Sequence, residues 1–227
     1  MVRRFIGGLK QSPGRGDVFN PWYDQDRVNE IGSRGPEIRR RQLFRYLGER
    51  IGKAKYLLLG EAVGYQGGHF SGIPMTSERI LLGKQAAKGI LPGHVFRDIQ
   101  PQRTSRPDVR ADGFSEPTAT IVWGLIVGMK RDPYEFVLWN AFPWHPFDPD
   151  RGMLSNRTPE KEELLAGLPV LEHLLDIVRF REIFAVGNKA DEQLNRLDIR
   201  PVKLRHPANA GAAEFRRQLA RHLRNHP

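Results

Sequence analysis

The chain has no cysteine among its 227 residues. That excludes disulfides, thiolate zinc sites, a cysteine nucleophile and a cysteine-held iron–sulfur cluster. It also lacks any run of about eighteen uncharged apolar residues, the length a membrane-spanning helix needs. The start, Met1-Val2-Arg3-Arg4-Phe5, has a charged pair with no apolar stretch behind it, so no export signal is expected. A soluble, cytoplasmic protein without a membrane partner is the expectation. The two common phosphate cradles are missing as well. Glycines at 60, 64, 67, 68 and 72 spell neither G-x-G-x-x-G nor G-x-x-x-x-G-K-[ST], which withdraws support from a dinucleotide or nucleoside triphosphate. Neither cofactor nor metal is expected.

What is present in excess is positive charge, a formal net +10. A surplus of Lys and Arg attracts polyanions such as nucleic acid or acidic lipid. From residue 200 onward there are seven basic residues against one acid, Glu214, so the surplus is concentrated at the C-terminus. The length suits one globular domain over 1–227, able to bury about 70% of its unfolded surface. Residues 1–34 are read as an N-terminal extension with an aromatic anchor near Trp22, and a monomer is expected.

Glycine and proline divide the chain into apolar runs that read as strands at 55–62, 135–142, 182–188 and 201–206. Their lack of alternation suits a sheet covered on both faces. Helical spacing appears at 35–51, where Leu43, Leu47 and Ile51 share a face and Arg39, Arg40 and Arg41 turn elsewhere. A second helix is expected at 115–129. A third should begin at Thr158 as N-cap with Pro159 behind it, and carry a core stripe of Leu164, Leu165, Leu168, Leu171, Leu174, Leu175 and Val178. Residues 91–113 read as a long surface loop. The order predicts an α/β fold: three αβα layers around a mostly parallel four-stranded sheet. Ligands of such sheets bind beyond the carboxyl ends of the strands, where three unusual segments fall.

The first is GEAVGYQGGHFSGIPMTSER, residues 60–79, whose glycines let main chain approach a ring or a phosphate closely. The second is Trp139-Asn140-Ala141-Phe142-Pro143-Trp144-His145-Pro146, where the Asn140 amide offers the donors and acceptor needed to read a nucleobase edge, or else caps a turn. The third is Arg205-His206-Pro207-Ala208-Asn209-Ala210-Gly211, small residues ahead of a basic helix with Arg216 and Arg217, a pattern open to a phosphate backbone. His69 and His145 are weaker acid–base candidates.

Taken together, the three segments resemble the motifs of the uracil-DNA glycosylase superfamily, over roughly residue 50 to the C-terminus. GEAVG is similar to the GEAPG of that family's iron–sulfur branch, and the spacing from Gly60 to Met75 matches the first motif of its uracil-specific branch without a gap. The resemblance implies base excision from single- or double-stranded DNA containing uracil or a related deaminated base. It implies a pocket wall of Gly60, Ala62, Val63, Gly64 and Met75, with Asn140 reading the uracil edge, the Tyr65-Gln66 loop excluding thymine, and Phe70 or Tyr65 sharing the stacking task. It implies that His206 donates to uracil O2, that Pro207, Ala208, Asn209 and Ala210 enter the minor groove, and that Arg205, Arg216 and Arg217 touch phosphates.

The departures bear on mechanism. The four cluster cysteines are absent, so the chain would be a cluster-free member. The water-activating aspartate falls on Ala62, the stacking phenylalanine on Met75 and the motif proline on Val63. Glu61 is the nearest carboxylate that could replace the aspartate, or it holds the loop's shape. Two other readings stay open: a catalytically silent binder of damaged or single-stranded DNA, and a small-molecule hydrolase using Glu61 and His206.

Overall fold

The computed structural model describes residues 1–13 and 16–225. In chain order the strands are β1 (Val18–Phe19), β2 (Tyr56–Ala62), β3 (Phe136–Phe142), β4 (His145–Pro146), β5 (Glu182–Val186) and β6 (Val202–Leu204). The helices are α1 (Val2–Gly8), α2 (Gly35–Gly48), α3 (Gly68–Ser71), α4 (Glu78–Leu81), α5 (Pro117–Gly128), α6 (Lys161–Ile177), α7 (Asn188–Arg196) and α8 (Ala212–Asn225). Four strands form one parallel sheet in the order β3-β2-β5-β6. Helices flank it, with α6 against β3, α7 against β5 and β2, and α8 against β6 and α5. This is the expected α/β architecture.

The strand interiors explain the arrangement. Every residue of β3 is buried, and Leu57, Leu58 and Leu59 of β2 are wholly buried, so neither strand has a face for water. Register sets Gly60 beside Asn140, which brings the ends of two distant motifs together.

Several expectations need correction. The helix over 35–51 stops at Gly48, and Arg39 does not turn outward but is fully buried. The helix expected to start at Thr158 has Glu160 as its N-cap and begins at Lys161; Glu163 at N3 accepts from the Glu160 N–H at 2.7 Å, a backward contact that Thr158 does not make. Leu165 leaves the core stripe and is exposed, because it lies around the helix from Leu164, Leu171 and Leu174. Residues 91–113 are not simply a surface loop, since Val95, Phe96, Thr104 and Ser105 are buried. Glu78 ties the segment down: its Oε1 accepts from the N–H of Thr104 (2.6 Å) and of Ser105 (3.0 Å), while the Ser105 hydroxyl donates to Oε2.

The N-terminal residues are integral rather than peripheral. β1 pairs antiparallel with β4, Phe19 opposite His145. Trp22 stacks on Trp139 of β3 at 5.8 Å and donates from Nε1 to the Gly72 carbonyl at 3.1 Å, so the expected aromatic anchor is present. Arg39 of α2 reaches across to this segment, pairing with the buried Glu30 and donating to the carbonyls of Pro21 and Asp24. Burial pushes the Glu30 carboxyl up and the Arg39 guanidinium down, and each is restored in part by the other's charge. Removing one partner of such a pair leaves an uncompensated buried charge. Arg39→Ala is therefore expected to destabilise the protein by about 3–5 kcal/mol in urea unfolding; a loss below ~1 kcal/mol, the scale of an exposed pair, would show the pair to be solvated.

Candidate active site

The carboxyl ends of β2, β3, β5 and β6 surround a cleft of about 850 Å³. That volume falls in the range of small-ligand clefts. Its walls include Gly60, Glu61, Ala62, Val63, Gly64 and Met75 from the first motif, Asn140 from the second, and Arg205, His206, Ala208 and Asn209 from the third. Three stretches separated by some eighty and sixty residues thus meet at one rim, as the strand order requires.

Asn140, near the carboxyl end of β3, is only 2% exposed, and among the described residues its Oδ1 has no hydrogen-bond partner. A buried acceptor left unpaired costs roughly 1–3 kcal/mol, a cost that a ligand N–H would recover. The amide fits because position 60 is glycine: a Cβ there would lie 2.8 Å from the Asn140 Nδ2 and 3.1 Å from the Met75 sulfur. Met75 takes left-handed backbone, φ 47°, which turns its thioether toward Gly60.

His206 follows β6, with its imidazole packed against Gly187. The N–H of Ala208 donates to His206 Nδ1 at 3.1 Å, so Nδ1 is unprotonated and the ring proton sits on Nε2. Burial and then the neighbouring Arg205 push this imidazole's pKa down, which keeps the ring neutral with one outward donor. The turn behind it is strained. Asn209 and Ala210 both have left-handed φ (52° and 60°), and a Cβ on Gly211 would collide with the His206 carbonyl. Arg205 holds the turn by donating to the Asn209 carbonyl at 3.2 Å.

Two carboxylates line the cleft. Burial raises the Glu61 pKa, countered by the Lys189 charge and a hydrogen bond from Thr158. Glu116, just ahead of α5, was not singled out from the sequence. Among the described residues its Oε2 has no hydrogen-bond partner, and burial pushes its carboxyl up to about 7. It sits against the bare backbone of Gly67, where a Cβ would collide with Oε2. A Glu before a Pro looks like any helix start, and only the fold brings it to Gly67. Asn156 is a further addition: its Oδ1 accepts from the Tyr65 N–H at 3.0 Å, beside Gly64.

Other expected residues lie elsewhere. Phe70 is fully buried and stacks on Phe114 at 4.3 Å, outside the cleft lining. Tyr65 and Gln66 also fall outside it, Tyr65 packing edge-on against Phe114. Pro207 is buried under the turn, so only Ala208, Asn209 and Ala210 are exposed there. Arg216 and Arg217 are exposed on α8, Arg217 paired with Glu214, and neither lines the cleft. His69 and His145 are wholly buried.

Residues 50–225 match the family model of the uracil DNA glycosylase superfamily. The chain belongs to that superfamily. No curated protein matches its sequence. Among solved structures it is similar in fold to the wild-type SMUG2 of Pedobacter heparinus, with a TM-score of 0.63 and 15% sequence identity over 99% of this chain and 97% of that one. That likeness takes in the N-terminal residues which the family model leaves out. Among the described residues no helix is long and apolar enough to cross a membrane.

Gly67→Ala tests how Glu116 is held. The added methyl displaces the carboxylate toward water, and the Glu116 pKa, followed by carbon NMR, is expected to fall from about 7 toward its ordinary value of 4.5. A value unmoved by the substitution would mean that another wall buries the acid.

Proposed function

We propose that this glycosylase-family chain extrudes uracil, or a related deaminated base, from DNA and hydrolyses its N-glycosidic bond, leaving an abasic site. The observation that carries the reading is the convergence of the Asn140 acceptor and the His206 Nε2–H donor on one cleft. A base inside a duplex is out of reach of both groups, so it must leave the stack. Within the cleft the Asn140 amide accepts from N3–H and donates to O4, while Met75 covers the ring with a soft, polarisable face.

As the bond from C1′ to N1 breaks, negative charge gathers on the departing ring and positive charge on the sugar. A neutral His206 donating to O2 stabilises the first without proton transfer, acting as an oxyanion hole does. For the second, a water must reach C1′ and lose a proton. Ala62 cannot accept it. Glu61 is engaged by Thr158 and Lys189, whereas Glu116 keeps an oxygen free and a pKa close to neutrality, where a general base works best. Glu116 is the water-activating base in this reading. Exposed Ala208, Asn209 and Ala210 support the extruded state from the groove, with Arg205 on the flanking phosphate and Arg216 and Arg217 contributing to the longer-range field.

His206→Ala is expected to slow release of uracil from a single-lesion oligonucleotide by about 10²–10³-fold, with DNA binding retained. Tight binding by the unaltered protein without any abasic product would instead make it a silent damage binder. The pH profile separates the carboxylates. Below about 7 Glu116 becomes protonated and cannot accept, so the wild-type rate should rise with pH through that value. Glu116→Gln should flatten the profile at a low rate; a profile preserved in that variant would return the role to Glu61 or to an unassisted water.

A further inference from the structure

Behind the cleft wall lies a line of buried polar groups that the proposed chemistry does not use. Asp26 Oδ2 is 3.2 Å from His69 Nε2, His69 Nδ1 is 3.0 Å from His145 Nδ1, and His145 Nε2 is 2.7 Å from the Ser155 carbonyl. All are buried, and Phe19 seals one side by stacking on His69 at 4.0 Å. The line begins in the N-terminal segment, passes through the glycine-rich motif and β4, and ends one residue before Asn156 of the cleft.

Three contacts in series require three protons. The Ser155 carbonyl can only accept, so His145 Nε2 carries one. Asp26 is a carboxylate: its Oδ1 accepts from the N–H of Val28 and of Asn29 (3.1 Å each) and its Oδ2 from the Asn29 amide at 2.7 Å. Burial alone would raise its pKa, but the hydrogen bonds from His69 and Asn29 and the His69 charge hold it down at about 2. His69 Nε2 must therefore carry the second proton. Two neutral rings then have none left, and their bare Nδ1 lone pairs would face each other at 3.0 Å without water to relieve them.

We propose that His69 and His145 share one further proton between their Nδ1 atoms, balanced by Asp26, and that this shared proton latches the Ser155–Asn156 segment against the glycine loop. The three are positioning residues. They touch no substrate; they set where Asn156 meets Tyr65 and the cleft. The charged groups around them are accounted for: Arg39 opposes a cation on His69, but Glu30 pairs with Arg39 and Glu78 lies near it, leaving Asp26 as the counter-charge of the line. Burial pushes His69 down to about 4 and His145 down to about 3; Asp26 raises both in part, while a charge on His69 lowers His145 further. The proton is assigned to the pair on geometry, because the outer nitrogens are committed to Asp26 and the Ser155 carbonyl and the two Nδ1 atoms face each other.

The sign of the stability linkage separates the alternatives. A proton held more tightly folded than unfolded contributes stability that is full below the unfolded histidine value and lost as pH rises through the folded value. Two buried neutral rings would give the reverse, a loss as pH falls. Nitrogen-15 NMR of the histidine-labelled full chain at pH 7 should show one exchange-protected proton bridging the two Nδ1 atoms. Two neutral rings, each protonated only on Nε2, would overturn the proposal. Asp26→Asn should move loss of that proton to lower pH by more than about one unit, the scale of one adjacent charge, and slow excision on the order of 10²-fold through misplacement of the cleft wall; an unmoved signal in a folded variant would also overturn it. The effect on excision rests on the glycosylase reading, whereas the ring proton does not. No excision by the unaltered protein with the proton present would defeat only that reading, and excision with the proton absent would defeat only this one.

Discussion

The parallel register of β2 and β3 is the constraint on which the site depends. It sets Gly60 opposite Asn140, and the absence of a side chain at 60 is what lets a full amide fit there with its oxygen still unpaired among the described residues. Buried polar groups are mostly paired in folded proteins, and the proposed ligand contact rests on this acceptor being both unpaired and part of the cleft lining. Any shift of one residue between these strands would turn Asn140 to the opposite face and bring an apolar side chain in its place. The pairing of Leu57–Leu59 with Val137–Trp139, all buried, and with Ile183–Ala185, of which only Ile183 is partly exposed, is what makes such a slip prohibitive.

The same strand end is held from behind by residues outside the family model. Trp22 lies flat on Trp139, next to Asn140 in β3, and its indole N–H fixes Gly72 three residues before Met75. The buried Arg39–Glu30 pair anchors the segment that supplies Trp22 and Asp26. A buried ion pair is seldom retained for net stability, since an apolar pair of similar volume often does as well. Here it ties a loop with little secondary structure to α2, and that loop backs both the first motif and the second. The N-terminal segment is in this sense part of the site's support rather than an appendage.

Much of this was legible in the sequence, and what was not has identifiable causes. The four strands could be read because continuous apolar runs between glycine and proline leave few alternatives, and the convergence of three motifs followed from strand order. Gly60, Met75, Asn140 and His206 fell where their spacing put them. Phe70 and Tyr65 did not, because an aromatic in a glycine-rich loop reads the same whether it faces a ligand or Phe114. Arg39 was placed outside since charge in a helix usually means solvent, and its partner Glu30 is in an irregular segment with no periodicity to locate it. Pro207, which the resemblance sends into the minor groove, is buried instead, since nothing in His-Pro-Ala-Asn separates the proline from the exposed residues that follow it. Glu116 and Asn156 were missed for one reason: each reaches the cleft through a tertiary contact, with Gly67 and with the N–H of Tyr65, that no local pattern announces.

The alanine at 62 is the sharpest departure from the family pattern, and the geometry gives a reason why a carboxylate need not be there. A base is useful only if it is unprotonated at working pH and not already committed to a partner. A carboxylate at the end of β2 would lie near Glu61, and two like charges in one partly buried corner raise each other's pKa. Glu116 enters instead from the start of α5, with bare backbone at Gly67 beside it. There its proton affinity is set by burial. On the proposed reading, moving the acid from strand to helix would separate the group that accepts a proton from Asn140, Met75 and His206, which could stay packed and neutral while the charge change occurs on Glu116. That separation would rest on Gly67 carrying no side chain, which gives the two glycines at 60 and 67 the same task, each making room for a side chain that lines the cleft.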